Sequence, residues 1–301
     1  MATVDGIHQF LSKLELKRLG RLVLNSRFTV EGQLQGAHRS PLKGFSIEFA
    51  DYRQYAPGDD LRHLDWRVFG RSDRLYIRQY EEESNLRVYL FIDGSKSMTY
   101  SLDGPSKYRF ACRLAAALAY VTALQHDSVG LTICNAETVE QIPVKSGLAH
   151  LRLLANTMAA YIPDHEANLA RNLCLLAEAI PRRALIVVVS DLFDDTQELR
   201  RALALLRKRK HDVIVYHVLD RAEIDFPFRF LGNFEDLETG DRLVINPRDV
   251  KEAYQDAVIE FLKDTRSYCN GLDIDYNLVT TETDVPRMIR RHLNRRQGKK
   301  G

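Results

Sequence analysis

The chain has 301 residues and a mass of 34.6 kDa, with 45% hydrophobic and 28% charged residues; this is the make-up of an ordinary soluble globular protein with room for one large domain or two small ones. Its 43 basic and 41 acidic residues leave a formal net charge of +2, so bulk attraction to nucleic acid or an anionic membrane is not implied, and any such partner needs a local patch. No apolar run approaches the ~20 residues that span a bilayer, and the start MATVDGIHQF lacks the basic and apolar regions of a secretory signal, so a cytoplasmic protein without a membrane span is expected.

In chain order, Ile7 to Leu24 reads as a helix, and 28–50 carries several glycines and polar residues with weak periodicity. A charged block follows, EFADYRQYAPGDDLRHLDWRVFGRSDRLYIRQYEEES. In it Pro57-Gly58 is a turn signal, Asp59 or Asp60 caps a short helix towards Phe69, and Leu75 to Tyr80 forms a strand. Five apolar stretches rich in branched residues then read as buried strands, at 87–92, 129–134, 184–189, 213–219 and 274–279. Helical faces lie between most of them, over 106–125, 148–161, 168–180, 196–209 and 248–268, with another at 284–294. In the first, Ala111, Leu114, Ala115, Leu118 and Val121 recur every three to four positions. The stretch 221–247 reads as a loop with a hairpin at Glu238-Thr239-Gly240-Asp241. Strands alternating with helices predict a mostly parallel α/β sheet covered on both faces. The organisation expected is a segment 1–85 packed on a domain 86–295, followed by a basic, solvated tail 296–301.

Chemistry gathers at strand ends. In LFIDGSKSM, Asp93 closes the first buried strand, and the spacing Asp93-x-Ser95-x-Ser97 lets one turn aim a carboxylate and two hydroxyls at a common point. Asp191 ends another strand in ALIVVVSD, with Asp194 and Asp195 behind it. Ligands of open parallel sheets sit beyond the carboxyl ends of strands, and hard oxygens of this kind suit Mg2+ or Mn2+. The bland alternative is a polar turn in which Asp93 and Ser97 satisfy nearby backbone amides. A phosphatase nucleophile is excluded, because Phe91 stands where the attacking carboxylate belongs. There is no G-x-x-x-x-G-K-[ST] loop for ATP and no G-x-S-x-G elbow.

Other residues carry weaker signals. Asp59, Asp60, Arg62, Asp65 and Arg67 in GDDLRHLDWR form either an internal ion network or a partner-binding surface, with Trp66 as an anchor. His63, His126 and His150 share no ligand spacing and read as surface or capped histidines. Cys112, Cys134, Cys174 and Cys269 are isolated and read as reduced thiols. Arg207 to Lys210 closes a helix, and RRHLNRRQGKK reads as a frayed end, so no nucleic-acid partner is expected.

The D-x-S-x-S loop, the strand-end Asp191 and the α/β alternation resemble a von Willebrand factor A domain with its metal-ion-dependent adhesion site. The block GFSIEFADYRQYAPGDDLRHLDWRVFGRSDRLYIRQYEEE is similar to the signature of the bacterial family called domain of unknown function 58. The similarity runs over about residues 38 to 290 and implies a von Willebrand factor A-like, Rossmann-type sheet with an N-terminal family-specific segment. In such domains two serines and a threonine coordinate the metal, two aspartates hold it largely through water, and a partner's carboxylate takes an open position. Asp93, Ser95, Ser97 and Asp191 match four of those five places. The threonine is missing: the corresponding loop reads DHEANLARNL, where Ala167 offers nothing and Asn168 offers an amide oxygen. The resemblance further implies a non-enzymatic interaction module that partners a MoxR-type AAA+ ATPase in chaperone-like maturation of a client protein. The rival reading is a metal-dependent phosphoesterase or nuclease using Asp93 and Asp191.

Overall fold

The structure, a computed structural model, describes residues 6–24, 47–54, 68–70, 75–82, 86–137, 139–238 and 240–298. The chain divides into two compact units, Met1–Phe28 with Leu86–Gly301, and Thr29–Asn85. The stretch 1–85 is therefore not one segment, because its first part belongs to the larger unit. The helix expected from Ile7 to Leu24 is shorter, a 3-10 turn at Ile7–Gln9 followed by α1 (Lys13–Leu19). Ser12 breaks it: its hydroxyl accepts from the Glu15 N–H while the Glu15 carboxylate accepts from the Ser12 N–H at 2.8 Å, a reciprocal cap that fixes a new helix start. In the smaller unit β1 (Ile47–Gln54) pairs antiparallel with β2 (Tyr76–Glu82), with a register shift between Phe49 and Asp51. Asp59, Asp60, Arg62, Asp65 and Arg67, with His63 and Trp66, lie outside the described residues.

The larger unit continues with β3 (Arg87–Asp93), α2 (Lys107–Leu124), β4 (Ser128–Cys134), β5 (Val139–Lys145), α3 (Leu148–Ala160), α4 (Leu169–Ala179) and β6 (Leu185–Ser190). It then runs through α5 (Thr196–Lys208), β7 (Asp212–Leu219), α6 (Arg221–Asp225), β8 (Gly232–Glu235), β9 (Arg242–Ile245), α7 (Pro247–Gly271), β10 (Asp275–Thr280) and α8 (Val285–Gly298). One sheet has the order β10-β7-β6-β3-β4-β5. All neighbours in it are parallel except β5, which runs antiparallel to β4. The five strands expected from the sequence are all there. β5 is an addition, an edge strand of which only Ile142 is buried. Gly130 makes room for it, since a Cβ there would stand 2.9 Å from Val144 Cγ2 and 3.0 Å from the Ile142 carbonyl oxygen, at the register break between Val129 and Leu131.

Alternation along the strands builds two cores. Val88, Leu90 and Ile92 of β3 face one, with α1, α2, α3 and α8; Tyr89 and Phe91 face the other, with α4, α5 and the end of α7. α2 is buried on nearly every side. Its alanines at 111, 115–117, 119 and 123 let it lie close to the sheet. α7 contrasts with it: of its 25 residues only Pro247 and Cys269 are buried. β8 and β9 form the expected hairpin on the surface.

Two expectations fail for physical reasons. The tail does not begin at 296: α8 runs to Gly298, and Arg296 is buried, its guanidinium donating to Asp275 at 2.6 Å and to Asp212. Of the two readings of His150, surface or capped, the surface one fails: it is buried in α3 with a ring nitrogen 2.8 Å from the Val129 carbonyl oxygen. All four cysteines are free thiols. Among the described residues no helix is long and apolar enough to cross a membrane.

Candidate functional site

β3 and β6 are hydrogen-bonded neighbours, and the chain leaves them in opposite directions across the sheet, β3 feeding β4 on one side and β6 feeding β7 on the other. This is the reversal of strand order at which open α/β sheets place their sites. The structure brings Asp93, Ser95, Ser97 and Asp191 together there. Asp93 is buried, its Oδ1 accepting from the Ser95 N–H at 3.0 Å and its Oδ2 from the Ser190 hydroxyl at 2.6 Å. The Ser97 hydroxyl donates to Asp191 Oδ2 at 2.8 Å and lies 3.0 Å from the Ser95 hydroxyl. Burial, reinforced by the negative charge of Asp191, pushes the Asp93 carboxyl up to about 6.

Lys107, the first residue of α2, was not foreseen as part of the site. It is 1% exposed and donates to Asp191 Oδ2 and to Glu223 Oε1 of α6, each at 2.7 Å. Burial alone would push its ammonium down; the charges of Asp191 and Glu223 outweigh that and hold it above the ordinary lysine range. The Phe193 ring covers it at 5.2 Å from its centroid. No sequence signal marks Lys107, because its partners lie 84 and 116 residues away. Asp194 and Asp195 serve structure: Asp194 accepts from the Ala170 N–H at the start of α4 and Asp195 caps α5.

Asn168 precedes α4 and makes no side-chain capping bond. Beside it, the Ala167 backbone N–H and the Ser97 hydroxyl face the carboxylate of Glu238, on the turn between β8 and β9, whose proton affinity burial raises on balance. Ser97 has one proton and gives it to Asp191, and Glu238 Oε1 is left buried with no hydrogen-bond partner. That orphaned oxygen, near the Ser97 hydroxyl and the Asp191 carboxylate of the cluster, adds to a hard-oxygen set that fits a divalent cation. Among the described residues no three His, Cys, Asp or Glu side chains already form a metal cluster, so a cation here relies on hydroxyls and water beside its carboxylates.

Gly94 holds the loop in place. A Cβ on it would meet the Tyr161 ring at 2.5–2.7 Å. Gly94→Ala is expected to cost about 1–3 kcal/mol by overpacking, read from the denaturant midpoint, and adding Tyr161→Leu should recover part of it. Full stability in Gly94→Ala alone would show that the ring does not press on the loop.

The family described as "Protein of unknown function DUF58" matches residues 51–261. The uncharacterized proteins Rv1480 of Mycobacterium tuberculosis and Mb1516 of Mycobacterium bovis are each 27% identical over 213 residues, a match that takes in 69% of this chain and 66% of theirs. The chain thus spans just under two thirds of the length of these relatives. Among solved structures, the conserved hypothetical protein BatB from Bacteroides thetaiotaomicron aligns with 71% of this chain and 99% of its own, at 16% identity and a TM-score of 0.49. The SpRpn10 VWA domain aligns with 67% of this chain and 91% of its own, at 10% identity and a TM-score of 0.39.

Proposed function

The chain belongs to the family of proteins of unknown function DUF58, and from that premise we propose that it is a non-enzymatic protein-interaction module. In this reading the oxygen cluster at the ends of β3 and β6 takes Mg2+ or Mn2+ and, through it, an acidic side chain of a partner. The observation that supports it most is the convergence of Asp93, Ser95, Ser97 and Asp191 from two adjacent strands on shared hydrogen bonds. Ser95 and Ser97 would hold the cation directly and Asp93 and Asp191 largely through water, with the Asn168 amide as the remaining side-chain oxygen. When bound, the cation supplies a Lewis-acidic position that a carboxylate fills. Ser190 and the Ser95 N–H orient Asp93, while the Lys107 ammonium fixes Asp191.

The partner proposed is a MoxR-type AAA+ ATPase, which would supply the energy for maturing a client protein, since this chain has no phosphate-binding loop of its own. Binding of the purified ATPase to the immobilised wild-type chain in magnesium should weaken by about tenfold or more on adding chelator, and equally in Asp93→Ala and Ser95→Ala. Equal binding in all four conditions would rule out capture through a cation.

A further inference from the structure

The turn between β8 and β9 is tightly built. The Asp236 N–H donates to the Asp241 carbonyl at 2.8 Å, the Gly240 N–H to the Asp236 carbonyl at 2.9 Å, and the Glu238 N–H to Asp236 Oδ1 at 2.8 Å. Gly240 takes φ +77°, which a side chain would resist. The hairpin strands themselves are mostly exposed, so little apolar burial holds them down. What the turn delivers is the Glu238 carboxylate, facing the Ser97 hydroxyl and the Ala167 N–H, with Oε1 buried and unpartnered. A buried carboxylate oxygen without a partner costs free energy comparable to a lost hydrogen bond or more, so this placement calls for a donor or a cation beside Glu238.

Ala167 itself has no hydroxyl or carboxylate to offer, and the carboxylate that faces its N–H comes from a different element, more than 70 residues on. Ser95 and Asp191 are both fully buried, so an incoming acid reaches them only if a covering element moves, and the turn that carries Glu238 is the one whose strands are mostly exposed. Resting on the cation site proposed above, we propose that Glu238 is the chain's own acidic ligand: it fills the position that a partner's carboxylate takes, and the partner binds by displacing the β8–β9 hairpin. The kind of partner that fits is one presenting an exposed Asp or Glu, in competition with Glu238 for the same place.

Manganese alone is the probe. Isothermal titration into wild-type, Glu238→Gln and Asp93→Asn proteins is run beside hydrogen exchange of the hairpin amides in 232–245. Glu238→Gln keeps the shape of the side chain and sits on an exposed hairpin, so the fold is retained. The expected result is manganese binding about tenfold or more weaker in Glu238→Gln, with manganese slowing hairpin exchange in the wild type and not in that variant. Unchanged affinity and exchange in Glu238→Gln, with binding lost in Asp93→Asn, overturns the role of Glu238 and leaves the cation site standing. Binding lost in Glu238→Gln but kept in Asp93→Asn supports Glu238 as a ligand and overturns the placement of the cation at the strand ends. No binding to the wild type overturns both.

Discussion

Lys107→Met is expected to remove about 3–5 kcal/mol of unfolding free energy at neutral pH, the cost of leaving buried carboxylates without their cation. Asp191 is fully buried and Glu223 largely so, and both lean on the one ammonium through 2.7 Å hydrogen bonds. Burial already raises the proton affinity of Glu223, with the Lys107 charge opposing it. In Lys107→Met that opposition is gone and the folded Glu223 carboxyl binds its proton more tightly than the unfolded one. Acids raised in this way are stabilised at low pH, and the stability is lost as pH rises through the folded value. The deficit of the variant is therefore expected to shrink as pH falls from 7 towards 5. Manganese should also restore part of the loss, because a second cation at the cluster replaces some of the missing charge. Urea midpoints across that pH range, with and without manganese, check all three. A deficit below about 1 kcal/mol that does not change with pH would place the pair among weak ion pairs.

Arg296→Met is expected to cost as much, about 3–5 kcal/mol, although the residue sits only five before residue 301. Its guanidinium bridges Asp212 at the start of β7 and Asp275 at the start of β10, and all three side chains are at most 10% exposed. Stopping the chain at residue 295 should match the point variant, while Arg201→Met, which breaks an exposed pair with Glu198, should cost under about 1 kcal/mol. Comparing the denaturation midpoints of the three proteins decides it. A 1–295 chain as stable as the whole would mean that β7 and β10 are held by their backbone ladder alone.

The parallel strands were legible because both their faces are buried, so each appears as an unbroken apolar run, and the helices between them keep a clear 3.6 period. β5 escaped for the opposite reason: it is an edge strand with one buried residue, and its sequence, VEQIPVK, carries a proline and little alternation. β1 was hidden in polar sequence. At the site, Asp93, Ser95, Ser97 and Asp191 were readable because strand ends announce themselves and the first three share one turn. Lys107, Glu223 and Glu238 were not, because each reaches the cluster from its own element across the fold, and a lysine at a helix start looks solvated until packing covers it. Ser190 lay in plain view beside Asp191, yet nothing in the string SD says that its hydroxyl turns back to Asp93.

The thinly buried helix α7 has a mechanical consequence. At 1.5 Å per residue it is about 37 Å long, yet only its end enters the core, through Cys269, and side chains such as Tyr254 on the Glu223 carbonyl, Tyr268 on the Arg200 carbonyl and Phe261 stacked on Phe193 hold the rest. A rod fastened at a few points comes away more cheaply than the sheet unravels. It is therefore expected to open before the strands part, and two of its rivets, Tyr254 and Phe261, sit on the neighbours of Lys107.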